Sequence, residues 1–423
     1  MNFDPTSGAE VERPLVPAER SYGARKVVKV LHVEVGGSYG GSLRILETYL
    51  RHADKKNAIH DILFYYPTPG AKSLAGLVRK MFVLRAAAPS EPPAAQPGFS
   101  GGSPAPPNAV SLDRSVRDLR RVLRLPTVLR TIGGIASLLK RENYDVVHVN
   151  NTFSYQTPTL LAAKWTKTRV LAHVRNPVPD TKRNRALLQC PDLVVTMNRS
   201  LEDELRAWRT PALLRTCRDG VELPAPDASR TLAWRARLAP RGQQIVGSVG
   251  QLQPQKGFDD FVRAARLVIA SRPDVRFAIA GSGPLRASLE SLIAELGLRD
   301  HFVLCGFQSD AASFLAALDL FVCSSHWEGG PLVVREAMLL GKPIVATDAG
   351  WNREMLASGA TGELVPTRNP RALAGAIVQS LADRGAMAIR AEEQIPAIRR
   401  NSDPASSARQ TDALIREVFE LAR

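Results

Sequence analysis

A chain of 423 residues outgrows a single hydrophobic core, so two domains of roughly 200 residues each are expected. With 44% hydrophobic and 23% charged residues the composition excludes a disordered chain, and no run reaches the ~18 to 20 apolar residues that a membrane-spanning helix needs. The formal net charge of +15 suits a phosphorylated ligand or an anionic membrane surface; nucleic acid is disfavoured, because neither zinc-ligand spacing nor interleaved basic and aromatic residues occur.

Residues 1–25 carry Pro5, Pro14 and Pro17 without apolar periodicity, which predicts a disordered leader, and they lack the apolar centre of a secretory signal, which predicts a cytoplasmic protein. From Lys26 the run Val27–Val33 reads as a buried strand, followed by a glycine-rich loop containing Gly40 and Gly41 and then by helical spacing through Leu43, Leu46 and Leu50. Ile59–Tyr66 reads as a second strand, and residues 86–108, dense in Pro, Gly, Ala and Ser, as a flexible excursion. Leu112–Arg141 reads as a helix. In its first part Leu112, Val116, Leu119 and Leu123 share a face apart from Arg117, Arg120, Arg121 and Arg124, a pattern that fits either an anionic leaflet or packing on a sheet with the arginines in water. Strands follow at Tyr144–Val149, Arg169–Val174 and Asp192–Met197.

A second series begins at Gln244–Gly250 and continues at Arg276–Ala280, Phe302–Cys305, Leu320–Cys323 and Pro343–Ala346, each pair separated by a helix-length segment. Alternating strands and helices predict two Rossmann-like, doubly wound parallel-sheet domains of the α/β class facing across a cleft, at 26–223 and 224–402. The Pro-rich stretch at Leu223–Pro226 is the expected hinge, and residues 403–423 read as a last helix that is a candidate to return across the boundary. The four cysteines, Cys190, Cys217, Cys305 and Cys323, lie far apart and read as buried reduced thiols. This pattern alone fits a two-domain dehydrogenase or a periplasmic-type binding protein almost as well as a transferase.

The stretch Ser325-His326-Trp327-Glu328-Gly329-Gly330-Pro331, continuing to Arg335-Glu336-Ala337, narrows the choice. It resembles the family 4 retaining glycosyltransferases, which have the GT-B fold and two glutamates separated by seven residues in a Glu-Gly-x-Pro, Glu-Ala frame. Physically, Pro331 suits the first turn of a helix, so that Gly329 and Gly330 offer amides at a positive helix end. The resemblance implies that Glu336 binds the ribose of a nucleoside-diphosphate sugar, and that Glu328 meets the sugar or the charge at its anomeric carbon. A second match is Val249-Gly250-Gln251-Leu252, ending in Lys256-Gly257. It implies that Lys256 neutralises the donor diphosphate, with Gln251 standing where the family commonly has arginine.

Further matches are Gly281, in Ala280-Gly281-Ser282-Gly283, and Gly306-Phe307, which resemble family positions shaping strand ends and the base pocket. Gly40 and Gly41 resemble a pair whose backbone nears the donor phosphates, though a tight strand-to-helix turn needs glycine in any case. Asp219-Gly220-Val221 resembles the turn before the hinge. A family histidine that meets the transferred sugar falls on His173 or on Arg175, and Asn150 stands where a second histidine is usual after His148. The catalytic candidates are therefore Glu328, His173 and Lys256, with Arg175 and Asn150 on the acceptor side.

No metal and no cofactor besides the donor is expected, since Asp-x-Asp is absent at the strand ends. The acceptor implied is a glycan or a lipid-linked glycan, in envelope or exopolysaccharide synthesis. A nucleotide-sugar epimerase of the same fold and a silent relative that binds a sugar nucleotide or a partner remain alternatives. A dehydrogenase is disfavoured because no strand is followed by Gly-x-Gly-x-x-Gly with an acidic residue about 20 positions on.

Overall fold

The computed structural model describes residues 27–36, 41–68, 71–84, 114–356 and 362–421, with the backbone alone at 114–125. The expected leader, the excursion at 86–108, Gly40 and the arginine-bearing face near residues 112–124 lie outside the described residues or side chains.

The first sheet comprises β1 (Val28–Gly36), β2 (Ala58–Tyr66), β3 (Met81–Val83), β4 (Val146–Val149), β5 (Arg169–Val174), β6 (Leu193–Thr196) and β7 (Leu213–Thr216). The second comprises β8 (Gln244–Val249), β9 (Val275–Ala280), β10 (Phe302–Gly306), β11 (Leu320–Cys323), β12 (Ile344–Thr347) and β13 (Gly362–Val365). Their spatial orders are β3-β2-β1-β4-β5-β6-β7 and β10-β9-β8-β11-β12-β13, and the paired strands run parallel throughout. Near-continuous apolar runs such as Val-Val-His-Val in β4 and Leu-Phe-Val-Cys in β11 are buried on both faces, as parallel strands covered by helices must be.

Each sheet has its own core on both faces. On one face of the first sheet, Leu31, Val33, Val147 and Val174 pack with Ile135, Leu139 and Leu160. On the other, Val28, Val30 and Val146 pack with Leu46 and Leu50 from the helix Gly41–His52 and with Leu414, Ile415 and Val418 from the helix Pro404–Glu420. That last helix starts cleanly: Asp403 accepts the amide of Ser406 at 2.7 Å and Pro404 occupies the first turn, where its missing N–H costs nothing. The chain thus leaves the first sheet after β7, builds the second, and returns.

The thiols are unpaired, but only Cys217 and Cys323 are buried. Cys305 sits on the edge strand β10 and Cys190 in a turn, so neither is fully covered, which corrects the reading of four buried thiols.

Candidate active site

In a doubly wound sheet the crevice lies beyond the carboxyl ends of the strands, where the strand order reverses. Here the reversals fall between β1 and β4 and between β8 and β11. Asn150 after β4, the turn Gly250–Lys256 after β8 and the loop Ser324–Pro331 after β11 therefore all lie at reversal points.

Glu328 and Glu336 are both almost fully buried. Glu328 Oε1 accepts from Lys256 Nζ at 2.5 Å and from Ser325 Oγ at 2.5 Å. Lys256 ends the short turn Pro254–Lys256, and the Gln255 carbonyl receives the amide of His326 at 2.8 Å, so the two loops are laced together. Burial works against the charge of Lys256, but the carboxylate of Glu328 beside it prevails, and the ammonium is held above its ordinary value.

Glu336 lies on the helix Leu332–Leu339 and accepts from Arg44 of the opposite domain at 2.5 Å. Pro331 is the residue before that helix, with extended backbone at φ −69° and ψ 101°, and does not occupy its first turn as the sequence suggested. The helix's leading amides accordingly belong to Leu332 and Val333, while Gly329 and Gly330 lie ahead of the cap.

Gly250, Gly281 and Gly306 form a row at the ends of β8, β9 and β10. The Gly250 amide donates to the Ala280 carbonyl at 3.0 Å, and the Gly281 amide to the Gly306 carbonyl at 2.8 Å. A side chain on Gly281 would stand 1.8 Å from the Gly250 carbonyl oxygen, so glycine is required there by the protein itself. Gln251 is half-buried with its carbonyl turned to the Gln253 amide at 2.8 Å, and Phe307 presents its ring to solvent, 64% exposed, beside this row. At Gly41, which opens the first helix, a side chain would meet nothing within 4 Å, so packing sets no demand for glycine at that position.

Across the crevice, Arg175 follows β5 and is buried. Its guanidinium makes a bidentate pair with Asp219 at 2.9 Å on both arms and also donates to the carbonyl and side-chain oxygens of Asn150. Asn150 in turn donates to Glu34 Oε1 at 2.5 Å and to the Ser42 carbonyl at 3.1 Å. Both of its amide protons are thereby used inside the protein, which makes Asn150 a bracket for Arg175. Burial raises the carboxyl of Glu34 against the pull of Asn150 and Arg175.

Asp219 is more than the structural turn that the motif suggested, because its carbonyl accepts from Arg335 of the second domain at 2.5 Å. Arg335 lies over the ring of Trp351, 5.4 Å from its centroid, and burial lowers its pKa to about 10. His173 on β5 is buried, with Nδ1 2.7 Å from Nε2 of His148, and lines a small cleft with Arg175, Asn150, Tyr49 and Thr411.

The residues that sequence reasoning missed are Arg44, Ser325, Arg335 and Glu34. Arg335 stands inside the glutamate frame and Ser325 three residues ahead of it, whereas Arg44 meets a partner 292 positions away and Glu34 one 116 away. Among the described residues one group, Asp259, Asp260 and His326, brings potential metal-ligand atoms within 4.8 Å of one another, and there His326 Nε2 already pairs with Asp260 at 2.9 Å.

The family model described as Glycosyl transferases group 1 matches residues 231–399. This chain carries a group 1 glycosyl transferase domain. Every donor-side candidate on the second sheet, from Gly250 to Glu336, falls inside that domain. The chain is 28% identical over 223 residues to the alpha-D-kanosaminyltransferase of Streptomyces kanamyceticus, and 32% identical over 170 residues to the lipopolysaccharide core biosynthesis mannosyltransferase LpsB of Rhizobium meliloti. These alignments take in 51% and 38% of this chain and span only 58% and 48% of those relatives' lengths. Over nearly the whole chain, the structure of Anabaena HepE in complex with UDP and glucose superposes with a TM-score of 0.72 at 19% identity, covering 92% of this chain and 100% of that one. At that identity the likeness shows the fold, which is GT-B: a group 1 domain facing a second Rossmann-like domain.

Proposed function

We propose that the protein is a retaining glycosyltransferase that moves a sugar from a nucleoside-diphosphate donor to a glycan or lipid-linked acceptor in cell-envelope or exopolysaccharide synthesis. The observation that carries the reading is the pair of buried carboxylates, Glu328 and Glu336, each held by one cation at 2.5 Å. Such pairs are costly to bury unless both charges are used. In this reading Glu336 exchanges Arg44 for the ribose hydroxyls, and Lys256 turns from Glu328 to the diphosphate. Glu328 is then left facing the sugar.

As the bond from the anomeric carbon to the diphosphate oxygen breaks, Lys256 offsets the charge gathering on the leaving group. The acceptor oxygen bonds to the anomeric carbon on the same face, and its proton passes to the departing phosphate, so no side-chain base is required. The bound UDP and glucose of HepE are in keeping with a nucleotide-sugar donor. Among the described residues no helix is long and apolar enough to cross a membrane. A lipid-linked acceptor would instead be reached at an anionic leaflet, which the charge of +15 favours.

The test is thermal denaturation of the protein with UDP, GDP, ADP and their sugar conjugates, for wild type, Glu336→Gln and Lys256→Met, followed by an assay of nucleoside-diphosphate release. One nucleotide should raise Tm in wild type only, with release that depends on added acceptor. Binding without acceptor-dependent release would point to the silent relative, and conversion of the donor without acceptor to an epimerase. No shift with any nucleotide would overturn the reading.

A further inference from the structure

Four histidines on four adjacent strands form one unbroken hydrogen-bonded ladder beneath the helices Gly41–His52 and Pro404–Glu420. His60 Nδ1 on β2 lies 3.0 Å from His32 Nε2 on β1. His32 Nδ1 lies 2.7 Å from His148 Nδ1 on β4, and His148 Nε2 lies 2.7 Å from His173 Nδ1 on β5. All four are buried, at 3%, 0%, 1% and 1% exposure, and the two outer nitrogens, His60 Nε2 and His173 Nε2, have no partner among the described residues.

Burial holds His32, His148 and His173 well below the ordinary histidine value and brings His60 to about 4, so the rings are neutral near pH 7. A neutral imidazole has one N–H and one lone pair. Three ring-to-ring bonds therefore consume three of the four N–H groups, and only two arrangements place one N–H in every contact. In one, His60 donates to His32, His32 to His148 and His148 to His173, leaving an N–H on His173 Nε2. In the other every bond is reversed, leaving a bare lone pair on His173 Nε2 and the spare N–H on His60 Nε2.

Charge chooses between them. The Arg175 guanidinium lies beside the His173 end, and the second arrangement turns the negative end of the ladder's dipole toward that cation. At the other end the positive charge of Lys55 is opposed by Asp61 and Asp54, so the choice rests on the Arg175 end.

We propose that His32, His60 and His148 are positioning residues that fix the tautomer of His173, so that its Nε2 meets the cleft as a hydrogen-bond acceptor for a sugar hydroxyl. The ladder acts as one unit: a change at His60 alters the polarity at His173 three rings away. The identity of the ligand rests on the glycosyltransferase reading, but the tautomers do not.

The experiment is long-range 15N–1H correlation NMR of the full chain labelled at histidine nitrogens, with no ligand, on wild type, His60→Phe and His60→Asn. Wild type should show His173 and His148 protonated at Nδ1, and His32 and His60 at Nε2. Phenylalanine keeps the ring's bulk but removes the acceptor for His32 Nε2–H, so His60→Phe should reverse the ladder and move the His173 proton to Nε2. Asparagine can accept through its carbonyl oxygen and should leave His173 as in wild type. His60→Phe should also weaken nucleotide-sugar binding on the order of tenfold, the size of one hydrogen bond, while nucleoside diphosphate alone binds as before. A wild-type spectrum with any other tautomer pattern overturns the proposal without recourse to variants, as does a His173 tautomer that is the same in all three proteins. Should the tautomers behave as stated while no sugar nucleotide binds, the ladder stands and the assignment of its ligand falls.

Discussion

At the scale of single residues, the contact among Lys256, Glu328 and Ser325 sets a full ion pair largely out of water. The side chains of Lys256 and Glu328 are 21% and 5% exposed, so solvent screens their pairing only weakly. Lys256→Met should therefore strand the carboxylate and destabilise the protein by about 3 kcal/mol, with Ser325→Ala costing about 1 kcal/mol. Adding Glu328→Gln to Lys256→Met should recover part of the loss, a coupling that urea titration of the four proteins in the cycle measures. Because the lysine's folded value is raised, its contribution is complete below the ordinary lysine value and fades only as pH rises through the higher one. The difference between wild type and Lys256→Met should accordingly stay flat from about pH 7 to 9. Lys256, Glu328 and Glu336 were legible because each stands in a short motif, one turn for the lysine and one loop and helix for the glutamates, that resembles a family pattern. Arg44 was not, since nothing in its own helix distinguishes it from a solvated arginine until the facing domain is in place.

At the scale of elements, the strands that escaped the sequence reading are β3, β7 and β13, and each is a sheet edge. Edge strands are covered on fewer sides, so they need no unbroken apolar run: β3 is largely exposed, β7 carries Arg215 and β13 carries Glu363. Central strands, buried on both faces, wrote the pattern that periodicity detects. The placement of the terminal helix was not deducible either, because its apolar face fits any sheet. Its seat depends on Asp412, which accepts the Tyr49 hydroxyl at 2.6 Å and the Asp54 amide at 2.9 Å. Burial lifts the Asp412 carboxyl to about 6 despite those bonds. A folded value raised above the unfolded one means that this group's contribution is complete below the unfolded value and is lost as pH rises through about 6. The stability of wild type relative to Asp412→Asn should therefore increase as pH falls from about 7.5 to 4, by up to about 2 kcal/mol, in denaturant titrations run in parallel.

At the scale of the whole molecule, the two domains meet in a closed arrangement whose tightest point is Gly329. A Cβ at that position would stand 1.5 Å from the Arg175 carbonyl oxygen and 2.7 Å from the Asn176 Cα, both backbone atoms of the other domain. Neither can yield without parting the domains, and parting them also breaks the contacts of Arg335 with the Asp219 carbonyl and of Arg44 with Glu336. Gly330 is the built-in control, because its Cβ would touch the Trp351 ring at 3.5 Å, an ordinary contact. Gly329→Ala should therefore enlarge the radius of gyration in small-angle scattering, while Gly330→Ala leaves it as in wild type. If closure is what excludes water and brings acceptor to donor, Gly329→Ala should still bind nucleoside diphosphate within a few-fold of wild type, because the donor site proposed above lies on the second domain, yet lose on the order of 100-fold in transfer. Unchanged scattering would mean that the loop before the helix Leu332–Leu339 adapts locally. Enlarged scattering with full transfer would mean that the productive state is reached by a different approach of the two sheets.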